Sequence, residues 1–165
     1  MKPNGRCGKG RATSTPSRNG RSARGQGNDF DVFICYNSAD RSIIRRIAGK
    51  LQRLGVRAWL DEWEVPPFVR WQDELQKVIP QLRAAAVFVG PSGVGPWEDI
   101  EVHALLQEFA RRRIRMGVVL LPGSPADPEV PLFMKMFHLV DFRKADPDPI
   151  NQLVWGITGK RPAHR

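Results

Sequence analysis

From residue 30 onward, short apolar runs alternate with stretches whose apolar positions recur every three or four residues. Phe30-Asp31-Val32-Phe33-Ile34-Cys35-Tyr36 reads as a first strand. Ile44, Ile47, Leu51 and Leu54 then mark one face of a helix, with Asp40 at its N-cap place and Gly55 as its stop. Residues 56–60 form a second strand, and the acid- and proline-rich residues 61–70 read as loop. Leu75, Val78, Ile79 and Leu82 give a helix over 71–82 its inward face. The run Ala84-Ala85-Ala86-Val87-Phe88-Val89 predicts a third strand, followed by a Gly/Pro loop over 90–96. A third helix is expected over 97–112, with Val102, Leu105, Leu106 and Phe109 as its buried stripe. Strands at 116–121 and 138–142 and a closing helix at 149–158 complete the pattern.

The strands are near-continuous apolar runs, not alternating ones. That implies burial on both faces, as in a parallel sheet covered by helices. Alternation of strand and helix argues for an α/β fold, and the right-handed crossover rule limits its topology. The expectation is a flavodoxin-like three-layer sandwich with a five-stranded parallel sheet in the order 2-1-3-4-5. Such sheets bind ligands beyond the carboxyl ends of their strands, where the order switches. The loops on that edge contain Asn37-Ser38, residues 61–70 and residues 90–96, where the unusual residues of the chain gather.

Charge changes the picture at the N-terminus. The formal charge of +9 is concentrated in residues 1–28, which carry seven Lys or Arg and no acid. From Asp29 onward nineteen bases face seventeen acids, so the rest of the chain is nearly neutral. Residues 1–28 contain no Leu, Ile, Val or Phe, and so read as a disordered basic tail. A solvated tail and a weak contact with nucleic acid or acidic lipid both fit it. Residues 29–160 read as one domain and 161–165 as a short C-terminal tail. No stretch approaches the roughly 20 apolar residues of a membrane span, and the N-terminus lacks the apolar core of a signal peptide. Cys7 lies in the polar tail and Cys35 in an apolar run, so no disulfide is expected and a reducing, cytoplasmic setting is.

Three segments, in order, resemble the TIR (Toll/interleukin-1 receptor) domain family of the bacterial type. The first is Phe30-Asp31-Val32-Phe33-Ile34-Cys35-Tyr36, like the family's opening strand. The second runs from Trp59-Leu60-Asp61-Glu62-Trp63-Glu64-Val65 through a proline-bearing loop to Trp71-Gln72-Asp73. It is similar to the family's second box and BB loop. The third is Val89-Gly90-Pro91-Ser92-Gly93-Val94-Gly95-Pro96-Trp97, followed by Glu101. Some members of this family are adaptors that assemble through TIR–TIR contacts. Others cleave nicotinamide from NAD, using a glutamate four residues after a tryptophan, a spacing that Trp97 and Glu101 hold.

The resemblance therefore implies Glu101 as the catalytic carboxylate. It implies Trp97, Asp61 and Trp71 around the substrate, with Asn37 and Ser38 on the neighbouring loop. NAD is then substrate, with no separate cofactor. Partners would be other TIR domains or further copies of the chain, and a separate sensor. Each residue also has a plainer reading. Acids at a helix start, such as Glu98, Asp99 and Glu101, complement the helix dipole. Asp61 can serve a turn, Trp71 can cap the core, and Trp97 can be a rim aromatic. In the interaction loop Pro66, Pro67, Phe68, Val69 and Arg70, the family usually has Pro-Gly, and Phe68 stands where glycine is expected. Because phenylalanine resists positive φ, a stiffer, more apolar loop follows.

Other chemistries find little support. His103, His138 and His164 lack ligand spacing with the cysteines, so no metal site is expected. The glycines at 90, 93 and 95 match neither the dinucleotide fingerprint nor a P-loop. A phosphorylated receiver domain needs an aspartate at the third strand's exit, where Gly90-Pro91-Ser92 stand. The run Arg111-Arg112-Arg113 suits a solvated helix end.

Overall fold

Strand β1 (Val32–Cys35) is buried along its whole length, and its side chains divide between two cores. Val32 and Ile34 pack against helices α1 (Arg41–Arg53) and α5 (Pro149–Thr158). Phe33 and Cys35 point the other way, toward α3 (Trp71–Val78) and α4 (Ile100–Arg111). That two-sided burial is why the strand reads as an unbroken apolar run. The computed structural model describes residues 30–93, 100–130 and 132–161, without the side chains at 100–102 and 133.

The other strands are β2 (Ala58–Trp59), β3 (Ala84–Val89), β4 (Arg115–Leu120) and β5 (Val140–Asp141). All pair in parallel in the order β2-β1-β3-β4-β5, as the sequence pattern predicts. β3 is buried throughout, and its alanines let β1 and β4 sit between two helical layers. Fully buried Leu51, Leu75, Leu106 and Phe109 tie the helices to the sheet, each contributing about 1.5–3 kcal/mol relative to exposure.

Several boundaries differ from expectation, each for a local reason. Asp40 holds the N-cap place of α1 but makes no side-chain capping bond. The chain enters α1 through a 3-10 turn, Ser38–Asp40, whose cap is Asn37, accepting from the Ala39 N–H at 3.0 Å. The expected loop over 61–70 begins instead with a one-turn helix, α2 (Asp61–Glu64). Acids at its start favour the turn, and Pro66-Pro67 follow it. The helix expected over 71–82 is α-helical only to Val78, because Pro80 lacks the donor to continue; Ile79–Gln81 is a 3-10 turn. The fifth strand shrinks from 138–142 to Val140–Asp141, after an unforeseen 3-10 turn at Leu132–Met136. The expected helix start at Trp97 and the basic tail lie outside the described residues. Among the described residues no helix is long and apolar enough to cross a membrane.

Candidate functional site

The carboxyl ends of β1 and β2 open into a cavity of about 110 Å³ lined by Cys35, Tyr36, Trp59, Asp61 and Trp71. A larger groove of about 620 Å³ runs between α3 and α4, past Arg70, Gln76, Leu105 and Glu108. Trp71 lines both and is their shared wall. Its place follows from sequence: the two prolines and the exposed residues 66–70 carry the chain off the β2 end, and α3 starts at Trp71. Trp71 also packs on the core beneath, so the same ring covers the core and faces the cavities.

Asp61 likewise does two things. It starts α2, where its charge suits the helix dipole, and it lines the smaller cavity. The Tyr36 hydroxyl donates to Asp61 Oδ1 at 3.3 Å. Burial and then the charges of Asp61 and Glu62 push the Tyr36 phenol up to about 12, against the pull of the Arg41 guanidinium beside it. Tyr36 therefore stays protonated at neutral pH and remains a donor. Burial, with the Asp61 charge behind it, also pushes the Cys35 thiol up to about 12. A thiol so protonated and so covered is no nucleophile, and Cys35 serves as a small buried residue of the core.

Glu62, next to Asp61, accepts a two-pronged bond from Arg45 at 2.7 and 2.9 Å. Arg41 reaches the same carboxylate through one longer contact, Nε to Oε2, at 3.3 Å. Asn37 and Ser38 stand on the same edge but line neither cavity. Asn37 donates from Nδ2 to the Ser92 carbonyl at 3.2 Å, so it ties the β1 exit to the β3 exit. Ser38 is exposed in the 3-10 turn.

Glu101 lies in the first turn of α4. Positions 101, 105 and 108 follow helical spacing, so position 101 falls on the helix face that further along carries Leu105 and Glu108 beside the groove. Glu108 is held down to about 2 by its bonds to Arg111 and Arg112, so it stays ionised and engaged at the far end of the helix. Trp97 lies outside the described residues. Among the described residues no group of His, Cys, Asp and Glu is placed to hold a metal.

The interaction loop departs from expectation in one respect. Phe68 adopts φ 69°, the left-handed region that glycine would occupy, and its side chain is fully exposed. The backbone keeps the glycine-type turn despite the side chain, at a cost of about 1–2 kcal/mol. Phe68→Gly should therefore raise the melting temperature by a few degrees, the relieved strain exceeding the roughly 0.4–1 kcal/mol of added unfolded-chain entropy. Thermal unfolding of the two proteins decides this, and a lower midpoint for the glycine variant would refute the strain. Sequence reasoning passed over Tyr36 as a strand end and Arg41 as a helix residue. A polar-tipped aromatic closing the strand at the switch point was the available signal for the first.

The TIR domain family model matches residues 32–154, and the chain belongs to that family. The fold is similar to the TIR domain of the Toll-related receptor TRR-2 from Hydra magnipapillata, at 21% identity and a TM-score of 0.56, over 73% of this chain and 90% of that one. A metazoan TIR-STING receptor from C. gigas matches at 18% identity and a TM-score of 0.62, over 79% of this chain and 41% of the receptor. The same receptor in complex with 2',3'-cGAMP matches at 19% identity and a TM-score of 0.63, over 81% and 40%. The chain thus spans about two fifths of those receptor chains. A search of curated protein sequences gives no significant match.

Proposed function

We propose that this TIR domain is an NAD glycohydrolase that breaks the bond between nicotinamide and ribose. The observation that carries the reading is one cavity at the strand ends walled by Asp61, Tyr36 and Trp71, with Glu101 in the opening turn of the neighbouring helix α4. In the reaction the C1′–N bond breaks and its electron pair leaves with nicotinamide. The pyridinium charge is thereby neutralised, so no general acid is needed, unlike ordinary glycoside hydrolysis. Positive charge develops on the ribose, and the Glu101 carboxylate stabilises it. Asp61, held by Tyr36, accepts from ribose hydroxyls, and Trp71 with Trp97 bounds the substrate. Water adds at C1′ and loses a proton to give ADP-ribose; attack by a group of the product itself gives a cyclic form instead. NAD is the substrate and no cofactor takes part.

Self-association supports such activity, as does pairing with a sensor, and a role in signalling or defence in the cytoplasm follows from depleting NAD. The test is nicotinamide release by the purified full chain at high concentration with a crowding agent. Release above that of a heat-unfolded control is expected. A folded, assembled protein that releases none sinks the reading. One observation favours a second reading, a non-enzymatic TIR–TIR interaction module: the apolar side chain of Phe68 is held out to solvent on a strained backbone, with exposed Val69 beside it. Under that reading Phe68→Gly weakens self-association, measured by light scattering, although it stabilises the fold.

A further inference from the structure

The carboxyl edge of the sheet carries several arginines, and most are engaged. Arg45 grips both oxygens of Glu62. Arg143 grips both oxygens of Asp141, at 2.8 and 2.9 Å, and also donates to the Pro125 carbonyl at 3.2 Å. Arg70 borders the large groove, on the far side of Trp71 from the strand ends. Arg41 differs from these. It stands at the first position of α1, its side chain is half exposed, and it makes a 3.3 Å contact with a carboxylate that Arg45 already holds by two shorter bonds. It also lies beside the Tyr36 hydroxyl that holds Asp61.

We propose that Arg41 is the specificity-determining residue that binds the diphosphate of the dinucleotide substrate, leaving Glu62 to Arg45 when substrate enters. This rests on the glycohydrolase reading above. Tyr36 and Asp61 line the cavity with Trp71, and Arg41 lies beside the Tyr36 hydroxyl. A dinucleotide lying across that edge brings its ribose to Asp61 and its negative charge toward α1. There a guanidinium fork and the positive end of a 13-residue helix both favour phosphate oxygens. Release of Arg41 strands no charge, because Glu62 keeps its two bonds from Arg45. An arginine is suited to this exchange because its fork matches carboxylate and phosphate alike.

The experiment is Arg41→Gln in the full chain, read with NAD, with nicotinamide riboside, which lacks phosphate, and by calorimetric binding of ADP-ribose. Loss of one charge-assisted contact should raise the KM for NAD about tenfold, leave kcat within a factor of about two, and weaken ADP-ribose about tenfold. Cleavage of the riboside should be unchanged. Arg45→Gln, which leaves Glu62 to Arg41 alone, should also raise the KM for NAD, because releasing Arg41 then strands the Glu62 charge, and should leave the riboside unchanged. Equal losses with NAD and the riboside, or no loss with either, would overturn the proposal. A wild-type protein that cleaves nothing yet binds ADP-ribose in an Arg41-dependent way would refute the glycohydrolase reading and keep the diphosphate site. An active wild type whose ADP-ribose binding ignores Arg41 would do the reverse, and a protein with neither property removes both.

Discussion

Glu101→Gln should leave the protein folded and bring nicotinamide release down by a factor of about 10² to 10³ or more. The size follows from what the substitution removes. Glutamine keeps the volume and helix preference of glutamate but carries no charge. If the carboxylate stabilises a cation that exists only in the transition state, its loss falls on kcat and leaves KM nearly unchanged. The plainer reading makes a different forecast. An acid in the first turn of α4 interacts with the helix dipole by about 0.3–1 kcal/mol, so glutamine would lower the melting temperature by a few degrees and leave activity intact. Chromatographic assay of nicotinamide, alongside thermal unfolding of the same samples, separates the two. Full activity with a lowered midpoint would return Glu101 to the role of dipole partner. Asp61→Asn would then be the next variant, since Asp61 lines the cavity.

Much of this architecture was legible because it depends on local signals that tertiary contacts reinforce. β1 and β3 are apolar on both faces, and only a covered parallel sheet satisfies that. Gly55, with φ 79°, ends α1 where its sequence position says it should. What was not legible depends on contacts distant in sequence. Asp40 looks like a helix cap by position, yet its carboxylate packs on Gly90, fifty residues away, and Asn37 caps the preceding turn instead. Pro80 was masked by the apolar period running through it. The turn at Leu132–Met136 has exposed Leu132 and Met136 beside buried Met134, a pattern with no period to detect. At the site, Asp61 and Trp71, both on the carboxyl edge, line one cavity. Asn37 does not join them there, because its amide is spent on the Ser92 carbonyl. Arg41 escaped notice because its meaning comes from Glu62, which the unforeseen helix α2 presents to it.

That contact between Asp40 and Gly90 makes the second large effect. Gly90→Ala should destabilise the fold by about 3 kcal/mol, lowering the melting temperature by roughly 10 °C. A Cβ at position 90 would fall 2.0 Å from Asp40 Oδ2, 2.3 Å from Cγ and 2.4 Å from Oδ1. The carboxylate cannot retreat easily. Asp40 is 8% exposed, and its backbone N–H donates to the Asn37 carbonyl at 2.8 Å, which fixes the turn into α1. The new methyl must therefore push the Gly90–Gly93 turn away from β1, straining the Asn37–Ser92 bond that joins the two loops. Asp40→Ala alone should change stability by no more than about 1 kcal/mol. It removes a carboxylate that burial has pushed above the usual range and whose buried Oδ2 accepts no hydrogen bond, so little favourable interaction is lost. The double variant should then recover most of the stability lost by Gly90→Ala, a coupling of about 2 kcal/mol. Urea unfolding of the four proteins measures it, and strictly additive effects would mean that the methyl clashes with something other than Asp40. Recovery would identify the close approach itself, and not the backbone freedom of glycine, as the reason that position 90 lacks a side chain. It would also make the glycine a structural support of the site, since the turn it permits begins the connection from β3 to the helix that carries Glu101.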